Sequence, residues 1–133
     1  MKKITEKFSG VRALVADDYS INSELVQEML EMMECHVDSA EDGQQASEMH
    51  KQNNYDIIFM DIQMPVKDGY EATKEIRRFE GDNNHTPIIA ITANALQGDK
   101  EKCLAAGMDD YISKPIRGEN LETILTKYIE MKK

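Results

Sequence analysis

Residues 55–60 read YDIIFM, a nearly unbroken apolar run, and residues 61–69 read DIQMPVKDG, a polar stretch punctuated by Pro65 and Gly69. A short apolar run closed by such a loop fits a strand buried on both faces of a parallel sheet. The pattern recurs on either side. VRALVA (11–16), HVDSA (36–40), PIIAI (87–91) and DDYIS (109–113) read as further strands. Helical spacing fills the intervals. Residues 20–34 place Ile21, Leu25, Met29 and Met32 on one stripe, and residues 43–52 turn Ala46 and Met49 inward. Residues 70–79 set Tyr70, Thr73, Ile76 and Phe79 on one side, and residues 96–106 stop at Gly107. Residues 120–131 direct Leu121, Ile124, Leu125, Tyr128 and Ile129 to the core. Strict alternation of strand and helix predicts a doubly wound α/β three-layer sandwich on a parallel five-stranded sheet.

The chain of 133 residues, 41% hydrophobic and 31% charged, fits one soluble domain. Residues 11–131 are expected to form it, with 1–10 as a lead-in or linker end and 132–133 as a tail. No apolar run approaches the roughly 20 residues of a membrane span, and the opening MKKITEKFSG lacks the apolar stretch of a signal peptide. No membrane insertion and a cytoplasmic location are therefore expected. The net charge of −9 argues against direct nucleic-acid binding. Cys35 and Cys103 lie far apart with no metal spacing and read as free thiols. His36, His50 and His85 likewise read as surface or packing residues.

In an open parallel sheet, ligands bind beyond the carboxyl ends of the strands. The residues there are Asp17 and Asp18 after the first strand, Asp61 after the third, Thr92 at the end of the fourth, and Lys114 then Pro115 after the fifth. Each has an ordinary reading alone. Asp18 suits a helix cap, Asp61 a turn, Thr92 a strand end, and Lys-Pro a surface turn. Together they describe something else. Three converging carboxylates repel one another without a cation, and hard oxygen ligands suit Mg²⁺ or Mn²⁺. A lysine among acids offers a point charge to a phosphoryl oxygen, and a threonine hydroxyl can donate to another. The set is that of a phosphoryl-transfer site, with Asp61 as the central nucleophile.

The segments LVADD (14–18), YDIIFMDIQMPVKDGYEAT (55–73), PIIAITANA (87–95) and AGMDDYISKPI (106–116) carry a resemblance to the receiver domains of two-component response regulators. In style they are similar to receivers of hybrid histidine kinases. The resemblance implies a flavodoxin-like (βα)5 fold with strand order 2-1-3-4-5. It puts the family's acid pair on Asp17 and Asp18, its phosphoacceptor on Asp61, its switch hydroxyl on Thr92 and its lysine on Lys114. The switch aromatic falls on Tyr111, the backbone carbonyl of Gln63 completes the metal shell, and the bond before Pro115 is expected to be cis. Phosphoryl is expected from a phosphohistidine on a sensor kinase or phosphotransfer domain. Thr92 and Tyr111 would then rearrange the face of the fourth helix, fifth strand and fifth helix for a downstream effector. Such a domain is a phosphoacceptor rather than an enzyme.

One departure is Tyr19, where many relatives carry Asn after the acid pair. It is expected to alter local packing or phosphate lifetime. Gln63 and Asn94 sit where relatives vary in dephosphorylation rate. Two rivals remain. A haloacid-dehalogenase-type phosphatase wants a second acid two residues after the nucleophile, where this chain has Gln63. A pseudo-receiver that binds without accepting phosphate typically lacks an acid, the phosphoacceptor or the lysine, and all are present here.

Overall fold

The computed structural model describes residues 8–82, 84–93 and 97–130. Strands and helices alternate as β1 (Arg12–Ala16), α1 (Ser20–Met32), β2 (His36–Ala40), α2 (Gly43–Gln52), β3 (Ile57–Asp61), α3 (Gly69–Glu80), β4 (Ile88–Thr92), α4 (Gln97–Ala106), β5 (Asp110–Ser113) and α5 (Gly118–Glu130). The strands pair in parallel in the order β2-β1-β3-β4-β5. This is the expected flavodoxin-like arrangement.

Every residue of the inner strands β3 and β4 is buried. Successive side chains of a strand point to opposite faces, and the two faces feed separate cores. Ile57, Phe59, Ile89 and Ile91 pack with Val26, Leu30, Leu121 and Leu125 of α1 and α5. Ile58, Met60, Ile88 and Ala90 pack with Ala46, Ala72, Ile76 and Cys103 of α2, α3 and α4. The result is a three-layer sandwich whose ligand edge is the carboxyl end of the sheet. Cys35 and Cys103 are buried and not joined in a disulfide.

The apolar stripe expected on α1 is displaced. Ile21, Leu25 and Met32 are exposed at 63%, 48% and 76%, while Val26, Leu30 and Met33 are buried. Met29 is only partly buried. The helix carries two apolar sets with the same four-residue spacing, so periodicity alone could not choose between them. The short β1–α1 connection of Asp17, Asp18 and Tyr19 turns the second set to the sheet.

Phe79 is also outside the core, 55% exposed, and its neighbour Glu80 is buried in its stead. Glu80 tolerates burial because it is fully paired. Its carboxylate accepts from the Arg77 guanidinium at 2.8 Å and the Thr86 amide at 2.9 Å, and lies 3.1 Å from His50 Nε2. Burial pushes this carboxyl up, but the hydrogen bonds from Thr86 and the Arg77 charge outweigh it and hold it below the usual range. Arg77 also donates to the carbonyls of Thr86 and Gly107 and to Asp109, each at 2.8–2.9 Å. This network ties α2 and α3 to the amino ends of β4 and β5.

Element ends moved slightly. β3 begins at Ile57 rather than Tyr55, whose hydroxyl instead donates to Asp38 at 2.7 Å. α5 begins at Gly118 rather than residue 120. Asn94, Leu96 and Met131 lie outside the described residues. Gly107 ends α4 with a positive φ of 104°, a conformation glycine adopts without strain.

Candidate functional site

β1, β3, β4 and β5 all end at one edge, and each delivers polar side chains there. Asp61 is the last residue of β3 and Thr92 the last of β4. Both are buried, as is Asp17 just beyond β1, whereas Asp18 is exposed. One carboxylate oxygen from each of Asp17, Asp18 and Asp61 lies within 4.8 Å of the others. Lys114 follows β5, and its Nζ lies 3.1 Å from Asp61 Oδ2. The Lys114 amide continues the ladder by donating to the Thr92 carbonyl at 2.8 Å. The Lys114–Pro115 peptide bond is cis.

Backbone amides orient the acids. The Tyr19 N–H donates to Asp17 Oδ1 at 2.9 Å, and the Gln63 N–H donates to Asp61 Oδ1 at 3.0 Å. Asp18 does not act as the helix cap that its position allowed. The N-cap residue of α1 is Tyr19, and no side chain caps the helix. Burial pushes the Asp17 carboxyl from an ordinary 3.8 up to about 6. That value already includes a smaller raising effect of the neighbouring Asp61 and the opposing effects of the Tyr19 amide and Lys114. Asp17 Oδ2 is buried and has no hydrogen-bond partner among the described residues. A buried acceptor left unpaired is costly. An all-oxygen donor set with one orphaned carboxylate oxygen is the arrangement a hard divalent cation would complete.

Asp18 and Asp61 face an open cavity of about 880 Å³, also lined by Thr92, Lys114 and Gln63. Sequence reasoning missed part of its wall: Tyr19, Met64, Pro65 and Tyr70, with Lys102 of α4. Of these only Tyr19 stood out in the sequence, as a departure after the acid pair, whereas Lys102 looks like any solvated helix residue. Tyr111 lies outside this cavity. It is half-buried on β5, packed against the core under α2, α3 and α4, with the Lys100 ammonium 5.8 Å from its ring centre.

The profile of the response regulator receiver domain matches residues 13–126. The chain belongs to the response regulator receiver family. Relatives of this receiver include hybrid signal transduction histidine kinase I of Dictyostelium discoideum, 44% identical over 129 residues. That match covers 90% of the chain but only 7% of the relative's length. Among solved structures, it is similar to the receiver domain of sensor histidine kinase PA1611 from Pseudomonas aeruginosa PAO1, which has a magnesium ion coordinated in the active site cleft. The two share 43% identity and a TM-score of 0.83, covering 92% of this chain and 99% of that one. The receiver domain of Ssk1 from Saccharomyces cerevisiae, solved with the histidine phosphotransfer protein Ypd1, gives 33% identity and a TM-score of 0.86, covering 94% and 92%. The receiver therefore belongs to two-component and phosphorelay signalling.

Proposed function

We propose that this receiver is a phosphorylation switch that accepts a phosphoryl group on Asp61. The observation that carries the reading is Asp61 held between Lys114 and the acid pair Asp17 and Asp18 at one sheet edge. In this reading an Asp61 oxygen attacks phosphorus, Lys114 neutralises a phosphoryl oxygen, and the Thr92 hydroxyl donates to another. Asp17, Asp18, Asp61 and the Gln63 carbonyl would hold Mg²⁺ or Mn²⁺, which supplies positive charge against the phosphoryl oxygens when bound. The orphaned Asp17 Oδ2 supports that assignment. Contacts of Thr92 with the phosphate, followed by Tyr111, would bias the α4–β5–α5 face toward an effector-binding state.

The donor in this reading is a phosphohistidine on a histidine kinase or histidine phosphotransfer domain, as the Ypd1 complex suggests by analogy. The exposed apolar side chains Ile21, Leu25 and Met32 on α1 support a helical partner. So does the apolar groove of about 380 Å³ that runs from Lys114 and Pro115 to Leu25. No described helix is long and apolar enough to cross a membrane. We read residues 11–131 as a cytoplasmic receiver module of a hybrid kinase.

Incubation with acetyl phosphate and Mg²⁺ tests the assignment. The wild-type chain should gain one hydroxylamine-labile phosphate, and Asp61→Asn or a chelator should abolish it. Undiminished labelling of Asp61→Asn would defeat the reading.

A further inference from the structure

Tyr19 fits neither its helix nor the core. It stands at the N-cap of α1 with φ −97° and ψ 107°, where Ser, Thr, Asp or Asn would accept a backbone hydrogen bond. Its phenol makes no such bond, and the residue is 55% exposed. Its link to the acids runs through the backbone N–H to Asp17, which any side chain but proline would preserve. Yet the residue lines the cavity that holds Asp61, whose wall also includes Met64 and Pro65. A position that breaks a local rule without a packing gain is where function is expected.

Given the phosphoacceptor reading, on which this inference rests, the cavity must hold the donor's leaving group as well as its phosphoryl group. We propose that Tyr19 is the wall for that leaving group, and that it makes the receiver prefer an aromatic nitrogen donor, the imidazole of a phosphohistidine, over a small phosphoramidate or acyl phosphate. An Asp61 carboxylate oxygen forms the new O–P bond as the P–N bond breaks. The electron pair stays on the imidazole nitrogen, and the ring, already protonated on its other nitrogen, departs as neutral imidazole. Before transfer that ring is planar and cationic, and both properties favour a tyrosine face. Because the ring loses its charge during transfer, the contact helps binding rather than the chemical step. Tyr19 is thus a specificity residue, and its effect falls on half-saturating donor concentration rather than on the maximal rate.

The experiment phosphorylates the full chain with Mg²⁺ and one of three donors: monophosphoimidazole, phosphoramidate or acetyl phosphate. Phosphate-affinity electrophoresis follows labelling, since the protein has no Trp. Phosphoramidate offers the same P–N bond without a ring. Tyr19→Phe should keep the wild-type preference for monophosphoimidazole. Tyr19→Leu and Tyr19→Asn should lower it about fivefold, through the half-saturating concentration. Tyr19→Asn also supplies a proper helix cap, so its loss cannot be ascribed to a weakened fold. An unchanged preference in Tyr19→Leu and Tyr19→Asn, including an equal loss on all three donors, overturns this proposal alone. A wild-type chain that no donor labels overturns the phosphoacceptor reading and this proposal with it.

Discussion

The two ends of the sheet hold similar charged side chains and treat them in opposite ways. At the amino end, Arg77, Glu80 and Asp109 are paired: every guanidinium contact is at 2.8–2.9 Å, and Glu80 is held below its ordinary pKa. At the carboxyl end, three carboxylates crowd together, one oxygen of Asp17 is orphaned, and its carboxyl is raised to about 6. The first arrangement is satisfied by the protein itself and holds helices to strands. The second is satisfied only in part, by Lys114 and two amides, and leaves room for something to be added. Fold stability and ligand affinity are thus assigned to opposite ends of the same five strands.

Removing charge should therefore have opposite signs at the two ends. The largest effect is expected for Arg77→Ala, which removes the guanidinium that Glu80 and Asp109 share. Urea unfolding should show a loss of about 3–5 kcal/mol. A loss below about 1 kcal/mol would mean the floor network is ornamental.

Asp17→Asn should do the reverse in metal-free protein. A carboxyl whose pKa is raised by folding favours the folded state while it is protonated. The contribution of Asp17 to metal-free stability should therefore be fully present below about pH 4 and be lost as pH rises through about 6. The substitution relieves that cost, and a gain of about 2 kcal/mol is expected at pH 7.5. It should also abolish the rise in melting temperature with Mg²⁺. In the wild type that rise should be smaller at pH 5 than at pH 7.5, because the cation must displace a proton. A wild-type response equal at both values would break the contrast.

The smallest effect concerns the apolar side chains near the rim. Ile21→Ser and Leu25→Ser should change stability by no more than about 0.5 kcal/mol. Leu30→Ala, on the buried set, should be far more costly by the same measurement.

The site was legible because its chemistry sits at strand ends, and apolar runs such as YDIIFM mark those ends without knowledge of packing. Asp17, Asp61, Thr92 and Lys114 each follow or close such a run, so topology alone gathers them. The inner side of α1 was not legible, since Ile21–Leu25 and Val26–Leu30 offer the same spacing and only the connection from β1 selects between them. Nor was the exchange of Phe79 for Glu80. The partners that make Glu80 tolerable come from α2, α3 and the stretch before β4, distant in sequence and unremarkable singly. Tyr19 was visible as a departure, but its place in the cavity wall required coordinates.

Gly43 and Gly69 show how closely the β3–α3 loop is clamped. A methyl group on Gly69 would overlap the Asp61 carbonyl oxygen, and one on Gly43 would overlap that of Lys67, to which the Gly43 amide donates at 3.0 Å. Neither position has spare volume for even the smallest side chain. For anyone retuning the kinetics of this domain by randomising the loop, these two glycines are the fixed seams. Variation belongs at residues 63–66, where Gln63, Pro65 and Val66 face solvent, and a library that varies the seams will mostly return chains in which the backbone under Asp61 has shifted.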